Sequence, residues 1–115
     1  MHEYPITEQI IKIASGKAKE NNARSVTRIT LVVGEQSGFI GESIQMYFDI
    51  ISKGTLCEGA VLEMENIKAK WYCPDCNIHY TRQPFSFACP DCGNDGMPTN
   101  IGKEFYVKDI EIETE

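Results

Sequence analysis

The sequence predicts an α+β fold: a small three-stranded sheet with two helices on one face, and a cysteine-rich module inserted ahead of the last strand. Three observations carry this expectation. Apolar residues recur at helical spacing in two segments and alternate in three others, and four of the five cysteines crowd between the last two alternating segments. The resulting order is helix, strand, helix, strand, insert, strand, which suits one compact layered unit with a zinc-ribbon-like domain looped out of it.

Pro5 suits the first turn of a helix, and Ile6, Ile10, Ile13, Ala14 and Ala18 follow at helical spacing until Asn21 and Asn22 stop it. A helix over about residues 5–21 is expected, weakened slightly by Gly16. From Ser25 to Val33 the pattern alternates, with Ile29, Leu31 and Val33 on one face and Arg28 and Thr30 on the other, ending at Gly34. Residues 42–53 place Ile44, Tyr47, Phe48 and Ile51 on one helical stripe, closed by Gly54. Ala60 to about Ile67 is the next strand, with Leu62 and Met64 alternating against Glu63 and Glu65. The last strand covers Glu104 to Glu113. Its apolar residues change parity between Val107 and Ile110, so a bulge near Lys108 and Asp109, or cover on both faces, is expected. Residues 1–69 with 103–115 then form the α/β domain, and residues 70–102 the inserted one.

With 115 residues there is room for one domain and a small appended module, which excludes large catalytic scaffolds. Eleven Lys and Arg against 17 Asp and Glu leave a net charge of −6, so no nucleic-acid partner is expected. The composition, 42% hydrophobic and 24% charged, is that of an ordinary globular protein. No apolar run approaches the roughly 20 residues that cross a bilayer, so no membrane partner is expected either. The first residues show no secretory pattern, since Glu3, Glu8 and Lys12 interrupt the apolar ones. The expected compartment is the reducing cytoplasm.

Cys73, Cys76, Cys89 and Cys92 form two Cys-Pro-Asp-Cys tetrads separated by 12 residues. Each places two thiolates on a tight knuckle, and two knuckles make a tetrahedral S4 zinc site with no open position, which is structural rather than hydrolytic. The alternatives are a redox pair or chance tetrads; the duplicated spacing favours metal. Closing the intervening loop costs roughly 2 kcal/mol plus a constant, while structural zinc supplies about 10–16 kcal/mol. The insert's own large apolar residues, Trp71, Tyr72, Ile78, Tyr80, Phe85 and Phe87, are too few to fold it alone. Cys57 reads as a small buried hydrophobe, and His79 as a surface residue rather than a fifth ligand.

The chain begins Met1-His2-Glu3, and only one other histidine is present. The Met1 amine, the His2 amide nitrogen and imidazole, and the Glu3 amide nitrogen can enclose a metal in fused chelate rings. Four nitrogens in a plane suit Ni(II) or Cu(II) rather than Zn(II). A chance histidine on a frayed terminus is the competing reading of these residues.

Taken in order, MHE, VVGEQSG (32–38), EGAVLE (58–63), the two knuckles and FYVKDIEIE (105–113) resemble the HypA/HybF family of hydrogenase nickel-incorporation proteins over essentially the whole chain. The resemblance implies a nickel metallochaperone, not an enzyme, with Ni(II) as transferred cargo at Met1, His2 and Glu3 and structural Zn(II) at Cys73, Cys76, Cys89 and Cys92. It further implies a HypB-type nickel-binding GTPase and the [NiFe]-hydrogenase large subunit as partners, and admits a homodimer. Some relatives carry histidine directly after the last cysteine, where this chain has Gly93; for any coupling between the metals only His79 is left. The alternative is a zinc-ribbon interaction adaptor with an inert N-terminus. An enzyme is disfavoured because no phosphate-binding glycine loop and no Ser/His/Asp set is present.

Overall fold

The computed structural model describes residues 3–114. Its elements are α1 (Glu3–Glu20), β1 (Ser25–Gly34), α2 (Gly41–Ile51), β2 (Val61–Ile67), β3 (Trp71–Cys73), β4 (Ile78–Tyr80), β5 (Met97–Pro98) and β6 (Phe105–Glu113). The expected α+β architecture is present. One sheet has the order β2-β1-β6, and a small separate sheet has the order β4-β3-β5. In the first, β1 runs parallel to β2 and antiparallel to β6. The parallel pair requires a crossover, which α2 supplies.

Helix α1 is already formed at Glu3, two residues ahead of the proline, with Glu3 in its first turn and Lys17 and Lys19 in its last, both signs matching the helix dipole. It ends where Asn22 turns left-handed at φ 56°. The Ala23 N–H then reaches the Ala18 carbonyl (2.9 Å) and the Asn22 N–H that of Lys19 (3.1 Å), a Schellman closure. The buried face is Thr7, Ile10, Ile11, Ala14 and Ala18. Ile13, expected on that face, is 49% exposed. Ile10 and Ile11 straddle the true stripe, and Thr7 joins it because its hydroxyl donates to the Glu3 carbonyl and so enters the core satisfied.

Both helices cover one face of the first sheet. Ile10, Ile11, Ala14 and Ala18 of α1 and Ile44 and Phe48 of α2 pack with Val26, Ile29, Leu31 and Val33 of β1, Leu62 of β2, and Cys57. Cys57 is fully buried, its sulfur 3.6 Å from Ser15 Oγ and 3.8 Å from the Ile11 carbonyl. Burial pushes its thiol pKa up, with Ser15 and Thr55 offsetting part of the shift, so it is a packing residue as expected. The opposite face carries cross-strand ion pairs, Arg28 with Glu63 and Glu111, and Lys108 with Glu65. All are half-exposed and each contributes little.

The expected bulge is present. Thr30 faces Asp109 while Leu31 faces Val107, so Lys108 is the extra residue of β6. A second bulge, not anticipated, lies in β1: Val26 faces Ile112 and Arg28 faces Glu111, leaving Thr27 unpaired. Both return apolar residues to the helix-covered face after a parity change. The three-residue spacing of Val26 and Ile29 was the available signal.

The two sheets meet at a waist made by the end of β1. The Gly34 N–H donates to Glu104 O (2.6 Å), Glu35 N–H to Ile67 O (2.8 Å) and Gln36 N–H to Gly102 O (2.6 Å). The Glu35 carboxylate accepts the Ala69 N–H (3.0 Å). A Cβ on Gly34 would stand 2.1 Å from Gly102 O, inside the backbone itself. Gly34→Ala is therefore expected to destabilise by about 1–3 kcal/mol or more. Gly16→Ala, with nothing within 4 Å on an exposed helix face, should stabilise by about 0.5–1 kcal/mol. Urea unfolding of the two variants checks the opposite signs.

Candidate metal centre

The duplicated tetrads fold into two matching knuckles. Strand β3 ends at Cys73, and the turn through Pro74, Asp75 and Cys76 closes with the Asn77 N–H on Cys73 O (2.8 Å). The second knuckle closes with the Gly93 N–H on Cys89 O (2.9 Å). Asn77 and Gly93 are both left-handed, at φ 55° and 77°. A left-handed residue directly after the second cysteine is what each turn needs, and Asn and Gly adopt that conformation most readily. The glycine at position 93 thus has a local reason. A histidine there would be strained by about 1–2 kcal/mol.

Side chains then tie the knuckles together. Asn94 Nδ2 donates to Asp75 Oδ2 (3.0 Å), and the Asp91 N–H points at Cys89 Sγ (3.4 Å). Tyr80 is the strut beneath: buried, it donates its hydroxyl to Phe87 O (2.5 Å) and accepts the Gly96 N–H (3.1 Å). Gly96 has no room for a side chain, since a Cβ would lie 2.3 Å from that hydroxyl. The apolar cluster here is only Cys73, Tyr80 and Cys89, with Trp71, Cys76 and Ile78 half-buried against it.

All four sulfurs lie within 4.8 Å of one another. Cys73 and Cys92 are 3.5 Å apart and Cys76 and Cys89 4.0 Å, and no disulfide is formed. A zinc–sulfur bond of about 2.3 Å gives a tetrahedral edge of about 3.8 Å, so the cluster fits a structural zinc ion. The thiols also differ in acidity. Hydrogen bonding to Cys92, with burial and the thiols of Cys73 and Cys89, pushes Cys76 up to about 12. Burial opposes ionisation of Cys89 as well, yet the N–H groups of Asp91 and Cys92 outweigh it and lower its pKa.

His79 is not part of this cluster. It pairs with Tyr72 across β3 and β4, on the sheet face opposite Cys73 and Tyr80, and its ring lies against that of Tyr72 at 5.1 Å.

Of the N-terminal residues singled out in the sequence, Met1 and His2 lie outside the described residues. Glu3 lies in the first turn of α1, and its carboxylate accepts the N–H of Ile40 (3.3 Å), just ahead of α2. That contact sets the start of α1 beside the segment that leaves the waist. Among the described residues, no helix is long and apolar enough to cross a membrane.

Sequence reasoning missed the supports of the cluster: Tyr80, the Asn94–Asp75 bond, and Glu35 at the waist. Asn77 was detectable, because it stands where Gly93 stands in the repeated tetrad.

Residues 1–112 match the family model described as "Hydrogenase/urease nickel incorporation, metallochaperone, hypA". The chain is 39% identical to the hydrogenase maturation factor HypA of Dehalococcoides mccartyi over 115 residues, covering 100% of this chain and 97% of that one. It is 37% identical to that of Caldanaerobacter subterraneus over 114 residues, covering 98% and 100%. In fold it is similar to the solution structure of the Ni metallochaperone HypA from Helicobacter pylori, with a TM-score of 0.65 at 23% identity over 98% of both chains.

Replacing Cys73 by Ala, or removing the metal with a chelator, should collapse residues 71–98 while leaving the helix-covered sheet folded. Amide NMR reads this directly: loss of dispersion confined to the small sheet is expected, and general unfolding would contradict it. Zinc displaces thiol protons, so its affinity should fall as pH falls.

Proposed function

Because the chain belongs to the HypA family, and so is a nickel metallochaperone of [NiFe]-hydrogenase maturation rather than an enzyme, we propose that Met1, His2 and Glu3 hold its Ni(II) cargo. Zn(II) at Cys73, Cys76, Cys89 and Cys92 has the structural role. The corresponding division is a nickel-binding domain, residues 1–69 with 103–115, and a zinc-binding domain, residues 70–102.

The observation that supports the nickel assignment is that Glu3 lies in the first turn of α1. The first N–H groups of a helix have no intrahelical acceptor, so a metal can replace the proton on the Glu3 amide nitrogen without breaking a helical hydrogen bond. The helix N-terminus, equivalent to roughly half a positive charge, favours the anionic nitrogen that results. The amine, imidazole and amide donors of Met1, His2 and Glu3 make a chelate that suits Ni(II). The Glu3 carboxylate is engaged with Ile40, which anchors the chelate's last residue to the body of the protein.

The mode of action is ligand exchange. Nickel enters as the amide protons leave, and is surrendered to a recipient's thiolates as those protons return. The donor in this scheme is a HypB-type nickel-binding GTPase, the recipient is the [NiFe]-hydrogenase large subunit, and the compartment is the cytoplasm.

Titration with Ni(II) tests the assignment on untagged protein, on His2→Ala, and on a variant with one extra N-terminal residue. Both variants should lose at least about tenfold in affinity, equivalent to about 1.4 kcal/mol. Equal affinity in all three would show the terminus to be inert. Protons compete with nickel for the amide nitrogens, so affinity should also fall as pH is lowered. A pH-independent affinity would contradict amide ligation.

A further inference from the structure

The cysteine cluster has a second property besides its fit to zinc: its sulfurs meet in pairs across the two knuckles. Cys73 Sγ lies 3.5 Å from Cys92 Sγ, and Cys89 Sγ lies 4.0 Å from Cys76 Sγ. Each pair joins an accessible thiol to a sheltered one. Cys92 is exposed and Cys73 buried; Cys76 is half-buried and Cys89 buried. Thiol oxidation suits that arrangement, because the accessible sulfur meets the oxidant and the sheltered neighbour resolves it before more oxygen is added. The other pairing across the knuckles, Cys73 with Cys89 and Cys76 with Cys92, would join the two buried thiols to each other. Links within a tetrad would also pair accessible with buried, but the close contacts above run between tetrads. Chain separation points the same way. The cross-knuckle pairs are 19 and 13 positions apart, whereas a link within a tetrad spans three and constrains almost none of the unfolded chain.

The knuckles are also held face to face by bonds that contain no sulfur. Asn94 Nδ2 donates to Asp75 Oδ2 (3.0 Å), the Cys89 N–H donates to Asn94 O (2.8 Å), and the Tyr80 hydroxyl ties Phe87 to Gly96. The loop between the tetrads is braced as well. It turns at Phe85, fully exposed and left-handed at φ 61°, where the Ser86 N–H donates to Gln83 O (3.1 Å), and it closes with a bridge between Ala88 and Asp95. A change confined to the sulfurs leaves all of these bonds in place. Cys57 stands apart from them, packed in the other core under α1.

We propose that the cluster is a reversible peroxide-responsive switch, in which a hydroperoxide closes the Cys73–Cys92 and Cys76–Cys89 bonds and the module gives up its zinc while keeping its fold. The Cys92 sulfur attacks one peroxide oxygen; the O–O bond breaks, the other oxygen takes a proton and leaves as water, and Cys92 becomes a sulfenic acid. The Cys73 sulfur then attacks the Cys92 sulfur, and the S–S bond forms as the S–O bond breaks, the departing oxygen leaving with a proton as a second water. A second peroxide oxidises Cys76 and Cys89 in the same way. Two peroxides and four solvent protons thus turn four thiolates into two disulfides and four waters, with four electrons passing from sulfur to oxygen. A disulfide sulfur carries no charge and no longer serves as a thiolate ligand, so the cluster loses its hold on a divalent cation. The cross-links then do what the metal did, joining one knuckle to the other, and a dithiol reductant reverses the change by exchange. This holds wherever nickel binds.

The test titrates the zinc-loaded full-length protein with hydrogen peroxide. Zinc release is read with a chromogenic chelator, free thiols with a thiol reagent, connectivity by non-reducing peptide mass spectrometry, and the fold by amide NMR. Expected is complete zinc loss at about two peroxides per protein, a single free thiol at Cys57, and both cross-knuckle links. Amide dispersion over residues 71–98 should persist in the oxidised protein and collapse in a reduced sample stripped of zinc by chelator, and dithiothreitol with added zinc should restore the starting state. Any other connectivity, such as Cys73–Cys76 with Cys89–Cys92, overturns the proposal. So do sulfinic acids in place of disulfides, zinc retained under excess peroxide, or loss of dispersion on oxidation. A reduced, zinc-stripped sample as well dispersed as the oxidised one also overturns it, since the links would then hold nothing.

Discussion

The arrangement of the whole molecule depends on one close approach, where the backbone of Gly34 meets that of Gly102 with no space for a side chain between them. Strand β1 is the central strand of the first sheet, and its last residues run on between the chain leaving for the cysteine module and the chain returning from it. Backbone bonds from residues 34–36 hold both sides, and the Glu35 carboxylate adds a third anchor at Ala69. Buried backbone groups must be paired, so the two crossing points are fixed in register rather than left as loose linkers. Phe39, packed on Phe105 at 4.4 Å, and Ile40, bound to Glu3, belong to the segment that follows. The waist thereby sets where the start of α1 lies relative to the second sheet.

On either side of the waist the stabilising forces differ. The first sheet is held by ordinary apolar burial under two helices, with Phe48, Ile29 and Leu31 among its largest fully buried side chains. The second has a core of Cys73, Tyr80 and Cys89, too small to offset the conformational entropy of its loops. A zinc ion held by the four thiolates would supply what burial does not, and the hydrogen bonds of Tyr80, Asn94 and Asp75 set the geometry at which four sulfurs converge. Closed fourfold thiolate coordination leaves no position for substrate, which agrees with a maturation factor that moves a metal without catalysing a reaction.

The periodic features of the chain were readable directly. Helical spacing located α1 and α2, alternation located β1, β2 and β6, and the parity change after Val107 located the bulge at Lys108, because side-chain direction in these elements follows position alone. Period alone does not separate two assignments that satisfy it equally. Ile10 and Ile11 are adjacent, so a stripe drawn through Ile13 looked as regular as the true one. A threonine such as Thr7 looks polar until its hydroxyl is seen to have found the Glu3 carbonyl. The second bulge, at Thr27, was hidden because Val26 sits at the margin of the alternating run. In the candidate metal centre the four converging cysteines were legible because chelation demands a short fixed spacing. Tyr80 and Asn94 were not, since their hydrogen-bond partners, Phe87, Gly96 and Asp75, are set by the folded loops rather than by spacing.

By itself, then, the sequence determined the order of elements, the four cysteines that converge and the family, all of which rest on local periodicity, short spacings or an ordered string of motifs. Tertiary structure alone decided that Gly34 and Gly102 touch, that Glu35 anchors the returning module, that His79 faces away from the sulfurs, and that Phe85 stands outward on a braced left-handed turn. The first two depend on residues far apart in the chain, the third on the register of β3 with β4, and the last on a backbone angle that no composition rule assigns to phenylalanine. The contacts at the waist appear only once the long-range pairing of β1 with β2 and β6 has brought its two crossings together, while the facing of His79 follows from the pairing of β3 with β4.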